Sequence, residues 1–236
     1  MTSQDDKELS VRRTANGEHR LPPAAAVVIA GATYALLPGS LLFAPRFVIP
    51  AVELALLVAL VITNPRRMTR ESKWSRVASL VLSSVVIMTN LVALGMLVHA
   101  LTQKGTPGGP LLVAAMQVWL TNVIGFGLLY WQLDRGGPVA RRVKTHAKMP
   151  PADWRFSQDE NDDAVTEVAV TASAKSGWIP TFPDYLYVSL TNSSAFSPTD
   201  TMPLTTRAKS LMGLQATAAL LTTLLVIARA VGSFGS

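Results

Sequence analysis

The chain has 236 residues, of which 49% are hydrophobic and only 15% charged, whereas soluble domains carry about 25% charged residues. Its net charge of +6 comes from basic residues at the ends of apolar segments, a pattern that indicates contact with lipid headgroups and argues against nucleic-acid binding. Cysteine is absent, which excludes disulfides and thiolate metal sites.

The N-terminal quarter divides into a polar tail and a long apolar stretch. Residues 1–20 are mixed in charge and predict a disordered cytoplasmic tail. The stretch 21–63 is too long for one crossing, since a bilayer core about 30 Å thick needs roughly 20 helical residues. Breakers such as Pro38, Gly39 and Pro45 interrupt it. The sequence therefore predicts two spans, at about 23–43 and 48–63, with a tight turn between them.

Glu53 is an acidic residue inside the second of these apolar segments. A carboxylate there can line a polar pathway through the membrane. The simpler expectation is that its side chain reaches back to the lipid headgroups at the outer interface.

A basic loop at 64–76 precedes two further predicted spans, at about 77–101 and 111–132. Amide side chains lie well inside these spans at Asn90, Gln117 and Asn122. Antiparallel packing would place Asn90 and Asn122 at similar depth, so we expect amide hydrogen bonds between helices. A polar lining for permeation is the alternative. Residues 21–134 are thus predicted to form a four-helix transmembrane bundle.

The stretch 135–177 is hydrophilic and is expected to be a connector at the membrane surface. Its acidic residues resemble a calcium loop only loosely, because the glycine and the spaced glutamate of that pattern are missing, so a solvated and partly disordered face is expected. The histidines, at 19, 99 and 146, are scattered. No catalytic residue, metal site or cofactor is predicted, and the chain is not expected to be an enzyme.

The C-terminal unit, 178–236, combines a short apolar segment with a long one. The segment 185–191 is too short to cross a bilayer, and a Ser/Thr/Pro-rich run at 193–203 follows it. A full-length apolar helix is predicted at about 208–231. A half-length helix, a polar turn and a complete span predict a re-entrant element, so the expected fold is an all-α integral membrane protein with five spans and one re-entrant segment.

This unit resembles the pore helix, filter and inner helix of potassium channels. Ser194 and Ala195 fall on the filter threonines and Phe196 on the filter valine, while Ser197-Pro198-Thr199 occupies the Gly-Tyr-Gly position. The pore-like residues that the resemblance implies are Thr191, Ser193, Ser194, Ala195, Phe196, Ser197, Pro198, Thr199, Asp200, Pro203 and Thr205.

The chain lacks the filter glycines, which take positive φ at little cost, and Pro198 fixes φ near −65°. A potassium-selective filter is therefore not expected. The resemblance instead implies a loop lined by serine and threonine hydroxyls with an Asp200 carboxylate ring, in a homo-oligomer that is tetrameric if it is channel-like. Such a ring would favour monovalent cations without fine selectivity.

The whole layout from residue 21 onward is also similar to a family of uncharacterised bacterial membrane proteins. Members have four helices, a hydrophilic connector, an aromatic "PDY…LY-S-T" segment and a final helix. Here Pro183-Asp184-Tyr185 and Leu186-Tyr187-Val188-Ser189-Leu190-Thr191 carry that pattern. The similarity implies no activity.

The distribution of Lys and Arg predicts a multi-pass protein of the cell (inner or plasma) membrane with a cytoplasmic N-terminus. The pore-like segment would then enter from the cytoplasmic side, opposite to potassium channels. Two functions follow from the sequence. One is a weakly selective cation channel, and the other is a non-conducting structural or regulatory membrane protein.

Overall fold

A computed structural model of the chain describes residues 17–63, 67–68, 72–102, 108–144, 149–160, 170–194 and 201–234. Within these residues the protein is mainly helical. The helices are α1 (Leu21–Ala35), α2 (Val48–Thr63), α3 (Lys73–Thr102), α4 (Gly108–Leu133), α5 (Pro138–Val143), α6 (Ser173–Ser176), α7 (Phe182–Ser193) and α8 (Thr206–Phe234).

Two short antiparallel ladders join segments that are distant in sequence. Strand β1 (Glu18–His19) pairs with β2 (Arg67–Met68), and β3 (Trp154–Phe156) pairs with β4 (Thr201–Pro203). Both ladders lie at the end of the helical bundle where α1, α3 and α8 begin and α4 ends. We call this end of the bundle the basic end.

Three helical segments are long and apolar enough to cross a membrane: Lys73–Leu101, Gly109–Gly136 and Thr206–Arg229, with 29, 28 and 24 residues. Helices α1 and α2 have 15 and 16 residues, short of the roughly 20 that a crossing needs. The prediction of five spans is therefore wrong for the described residues. The predicted first span ends at Ala35, not at 43, because Pro38 disfavours helix before it and the chain continues as a 3-10 turn at Gly39–Leu41.

The other predicted helices agree well with the structure, and α2 has the predicted bounds. Helix α7 is a 12-residue helix where a half-length one is predicted. It begins with a capping box, in which Thr181 and Asp184 exchange side-chain and backbone hydrogen bonds. The predicted re-entrant turn is the run 193–203, of which 195–200 lie outside the described residues. Of its described ends, Ser193 closes α7 and Thr201–Pro203 form a strand, so the structure gives no support for the re-entrant element.

Helix α4 is the centre of the bundle and packs against α1, α3, α7 and α8. Glycines let neighbouring helices approach it closely. A Cβ atom at Gly125 would lie 3.0 Å from Ile87 of α3, and one at Gly127 would lie 3.3 Å from the Leu186 Cα of α7. Helix α8 is peripheral and exposes apolar side chains such as Leu220 and Leu224, as a lipid-facing helix does.

The connector between α4 and α7 is not the solvated surface loop that its composition predicts. Arg141 and Trp154 are fully buried, and Asp153 is 2% exposed. They fold over the basic end of the bundle, where Trp154 packs against Tyr130 with ring centroids 4.7 Å apart. Glu18, which falls within the predicted tail, is 6% exposed and belongs to this cap.

Candidate functional site

The residues predicted to form a pore are only partly described. Ala195, Phe196, Ser197, Pro198, Thr199 and Asp200 lie outside the described residues. The Thr191 hydroxyl donates to the Tyr187 and Val188 carbonyls of its own helix, and the Ser194 hydroxyl donates to the Leu190 carbonyl. These two hydroxyls thus serve helix α7 itself.

Pro203 and Thr205 take part in the cap at the basic end. Pro203 lies opposite Trp154 in the β3–β4 ladder. The Thr205 hydroxyl donates to Asp153 at 2.6 Å and accepts from the Ala208 backbone N–H at 3.1 Å, so Thr205 caps the start of α8. Arg207 pairs with the same Asp153 carboxylate.

Ser193 belongs to a buried polar network that joins α4, α7 and α8. The Gln215 amide nitrogen lies 2.7 Å from the Ser193 hydroxyl and 2.6 Å from the Ser189 hydroxyl. The Gln215 amide oxygen accepts from the Tyr130 hydroxyl at 2.6 Å and from Asn192 at 2.8 Å. We call these side chains the Gln215 network. Because its donors and acceptors match each other, it holds three helices together without a ligand.

Asn122 makes an interhelical hydrogen bond, but with a partner other than the predicted one. Its amide oxygen accepts from Ser193 at 3.3 Å, whereas the Asn90 amide donates to the Val118 carbonyl and the Thr121 hydroxyl, each at 2.6 Å. Asn90 and Asn122 therefore bond to different neighbours and not to each other. Sequence reasoning missed Gln215, a single amide near the start of a long apolar helix.

Glu53 points into the bundle and not toward the headgroups. Its side chain is 3% exposed and lies against α1, where a Cβ atom added to Gly31 would be 2.9 Å from the Glu53 Oε2 atom. The Glu53 carboxyl can therefore occupy this position because Gly31 has no side chain. The expectation that Glu53 reaches the interface is wrong.

A small cavity surrounds this carboxyl between α1, α2, α3 and α4. Its water-accessible volume is about 10 Å³, which is room for about one water molecule or one bare ion. The side chains around it that carry polar atoms are Thr33, Tyr34, Glu53, Thr89, Asn90, Gln117 and Thr121, and the Tyr34 hydroxyl donates to the Ala44 carbonyl at 3.3 Å. We call this cavity the Glu53 cavity.

Three buried hydrogen-bond acceptors in the Glu53 cavity have no donor. Among the described residues no donor reaches Glu53 Oε2, Asn90 Oδ1 or Gln117 Oε1. Several neighbouring donors bond elsewhere, since the Thr33 hydroxyl donates to the Ile29 carbonyl at 2.7 Å and the Asn90 amide bonds to α4. Buried acceptors without donors are rare and cost about 1–3 kcal/mol each.

The oxygens of this cavity form the ligand set of a hard cation, because carboxylate, amide and hydroxyl oxygens suit alkali and alkaline-earth ions. No group of three or more His, Cys, Asp or Glu side chains that could hold a metal occurs in the described part of the chain. Glu53 therefore supplies a single negative charge. One such charge is balanced by a proton or a monovalent ion.

The basic end is closed by a second set of buried charges. Asp134 is fully buried and accepts from the Tyr185 hydroxyl at 2.5 Å and from the Asp153 backbone N–H at 2.7 Å. Arg141 donates to the Trp131 and Asp134 carbonyls, both at 2.8 Å, and lies over the Tyr185 ring. These bonds fix the connector to the end of α4.

Glu18 completes this cap from the N-terminal side. Its Oε1 atom accepts from the Phe182 backbone N–H at 2.7 Å and from the Trp131 indole at 3.0 Å. Burial raises the pKa of Glu18 above its ordinary value, although Arg141 opposes this rise. Burial likewise raises the pKa of Tyr185. These residues were not predicted, because a charged tail and connector look solvated in sequence.

No family model, no curated protein and no solved structure matches this chain. The resemblances to potassium channels and to a bacterial membrane protein family therefore stay predictions. The structure supports a helical protein with three helices fit to span a membrane.

Proposed function

We propose that this protein is an integral membrane protein that binds a monovalent metal cation in the Glu53 cavity, with protons competing for the same carboxylate. The observation that carries the proposal is a set of three buried acceptors without a donor: Glu53 Oε2, Asn90 Oδ1 and Gln117 Oε1 meet none among the described residues.

The cost of burying a lone charge supports a bound cation. An uncompensated carboxylate costs several kcal/mol in a protein interior, which is a large part of a total stability of about 5–15 kcal/mol. A single proton on Glu53 can satisfy only one of the other acceptors. A cation in the cavity would have these oxygens as its neighbours and can accept electron pairs from several of them, as ions do from the carbonyls of ion filters.

The size of the cavity determines the form of the ion. A water-accessible volume of about 10 Å³ accepts one bare ion and no hydration shell. The oxygens of Glu53, Asn90 and Gln117 would therefore replace the shell. Helices α1 and α2, which are the shortest apolar helices of the bundle, form one wall of the cavity and are the natural route for exchange.

For the C-terminal unit we propose the non-conducting alternative. Its support is that the hydroxyls of Thr191, Ser193, Ser194 and Thr205 are all engaged within the chain's own helices and cap. We also propose the orientation that the basic residues predict, with the N-terminus and the basic end in the cytoplasm.

Isothermal titration calorimetry of the detergent-purified protein tests the cation site. NaCl and KCl are titrated against choline chloride, whose cation is too large for the cavity. Wild type is expected to bind at least one alkali ion, more weakly at lower pH because protons compete. Glu53→Gln should lose the binding. Glu160→Gln, the same change at an exposed position, should retain it.

Two outcomes would overturn the proposal. One is that neither alkali ion gives heat beyond choline in the wild type. The other is equal binding by wild type and Glu53→Gln. Gln117→Leu is a second variant that keeps the carboxyl and removes one ligand oxygen, and it should weaken binding about tenfold, or 1.4 kcal/mol.

A further inference from the structure

A second cavity lies at the basic end of the bundle, between α1, α2, α3 and α4. Its water-accessible volume is about 50 Å³, and apolar side chains such as Val27, Leu57, Leu60 and Leu82 line most of it. We call this cavity the slot. Its small volume and apolar lining suit a hydrocarbon chain better than a bulky polar molecule.

Arg20 supplies a cationic group at the mouth of this slot. It is 9% exposed, and its Nε and Nη1 atoms are buried and meet no acceptor among the described residues. Unlike Arg141 and Arg207, it forms no salt bridge with any described carboxylate. A buried guanidinium without an anion is costly, and guanidinium is the side chain best suited to bind an oxyanion in two-point contact.

The position of Arg20 corresponds to the headgroup level of a membrane. It directly precedes α1, and it shares the cavity with Ser75 in the first turn of α3. The neighbouring Trp74 is 52% exposed, as tryptophans at a membrane–water interface are. The leucines of the slot lie deeper, on the side of the bundle interior.

We infer that this cavity binds one anionic membrane lipid, with its phosphate on Arg20 and an acyl chain along the slot. Ser79 also lines this cavity and offers a hydroxyl near the same end, whereas the Ser75 hydroxyl donates to the Ser72 carbonyl. The Lys and Arg residues of the loop at 64–76 add the charge that concentrates anionic lipid at this end of the bundle. The site is separate from the Glu53 cavity and does not depend on it.

The test is a thermal unfolding series on the detergent-purified full chain with four additives. They are phosphatidylglycerol, phosphatidylcholine, a free fatty acid and inorganic phosphate. A ligand that binds only the folded state raises Tm with concentration. Phosphatidylglycerol is expected to raise the Tm of the wild type, and the other three are expected to raise it less or not at all.

Variants locate the site. Arg20→Gln should lose most of the phosphatidylglycerol shift, with apparent affinity about tenfold weaker, whereas Arg20→Lys should retain part of it. Ala24→Phe fills the slot and keeps the arginine. It should lose the Tm shift because the acyl chain no longer fits, although the charge that binds the phosphate is still present. Arg46→Gln, at an exposed arginine at the opposite end of the bundle, should behave as wild type.

The inference is overturned if phosphatidylglycerol shifts wild type, Arg20→Gln and Ala24→Phe equally. If inorganic phosphate raised Tm as much as phosphatidylglycerol does, the acyl chain would contribute nothing to binding. This result would also overturn the inference. A larger shift with the fatty acid than with phosphatidylglycerol would exclude a phospholipid as the ligand. If Arg20→Gln fails to fold, Ala24→Phe and Arg20→Lys still decide between these outcomes.

Discussion

Two buried polar clusters contact different faces of α4, and adjacent residues of this helix belong to them. Thr121 faces the Glu53 cavity, whereas Asn122 faces the Gln215 network. In the Gln215 network the amide of Gln215 finds partners for both its nitrogen and its oxygen. In the Glu53 cavity three buried acceptors find no donor among the described residues. A polar cluster with matched groups holds helices together, whereas unmatched acceptors are the basis of the cation site proposed here.

The largest expected effect is the loss of the matched cluster. Gln215→Leu leaves the Tyr130 hydroxyl and the Ser189 and Ser193 side chains with unpaired buried groups. We expect the free energy of unfolding to fall by about 3 kcal/mol, measured by chemical unfolding in detergent. Thr217→Val, at an exposed threonine of the same helix, should change it by less than about 0.5 kcal/mol. Similar losses in both variants would show that the network contributes no special stability.

The next effect concerns the cap. Tyr185→Phe removes the hydroxyl that donates to Asp134 at 2.5 Å and leaves a buried carboxylate with one partner fewer. A loss of about 2 kcal/mol is expected in the same unfolding measurement, because hydrogen bonds to charged groups contribute about 1.5–3 kcal/mol. Tyr187→Phe is the matched control, at a tyrosine that is 51% exposed. Should the two variants be equally stable, the connector would not depend on this bond.

A smaller effect, on binding more than on stability, is expected from Gly31→Ala. The new Cβ would lie 2.9 Å from the Glu53 Oε2 atom and would push the flexible carboxyl away from its place. Alkali-ion affinity in calorimetry should fall about tenfold, with a loss of stability below about 1 kcal/mol. Gly39→Ala, where no heavy atom lies within 4 Å, is the control. If Gly31→Ala bound the alkali ion as tightly as wild type, the position of the Glu53 carboxyl would not matter for ion binding.

The smallest effect is a pH dependence that arises from the cap. Burial holds the pKa of Glu18 above 4.5, so the folded state keeps its proton more tightly than the unfolded chain does. Its contribution to stability is therefore fully present below pH 4.5 and is lost as pH rises through the raised pKa. The difference in unfolding free energy between wild type and Glu18→Gln should change in this direction across that window. Parallel curves would contradict it.

The sequence predicts helices whose ends are determined by nearby residues. It does not predict contacts between residues that are far apart in the chain. The bounds of α2 follow from its flanking breakers and apolar run, and they agree with the structure. The prediction of five spans is wrong because the apolar stretch at the start of the chain is longer than the helix that it forms. Pro38 ends this first helix early, at Ala35. The burial of Arg141 and Trp154 cannot be read locally, since it depends on partners many residues away.

In the candidate site, too, the sequence identifies the residues but not which of them lie together. Glu53 stands out in sequence as a lone acid in an apolar run, and the amides Asn90 and Gln117 can be identified as intramembrane polar residues. That these three share one cavity, while Asn122 joins another cluster, depends on the rotation of each helix about its axis. Hydrophobic periodicity is weak in helices that are apolar on all sides, so it does not determine this rotation.

The β3–β4 ladder has a consequence for how the chain assembles during synthesis. Arg155 pairs with Met202, and Asp153 binds both Thr205 and Arg207 at the start of the last helix. A nascent chain that ends before residue 201 has its earlier helices complete but has nothing to cover this side of Trp154. The β3–β4 side of the cap can close only after residues 201–207 have emerged, whereas the contacts among Asp134, Arg141 and Tyr185 need only the earlier part of the chain. A chain truncated before residue 201 would present this unfinished side to quality-control proteases.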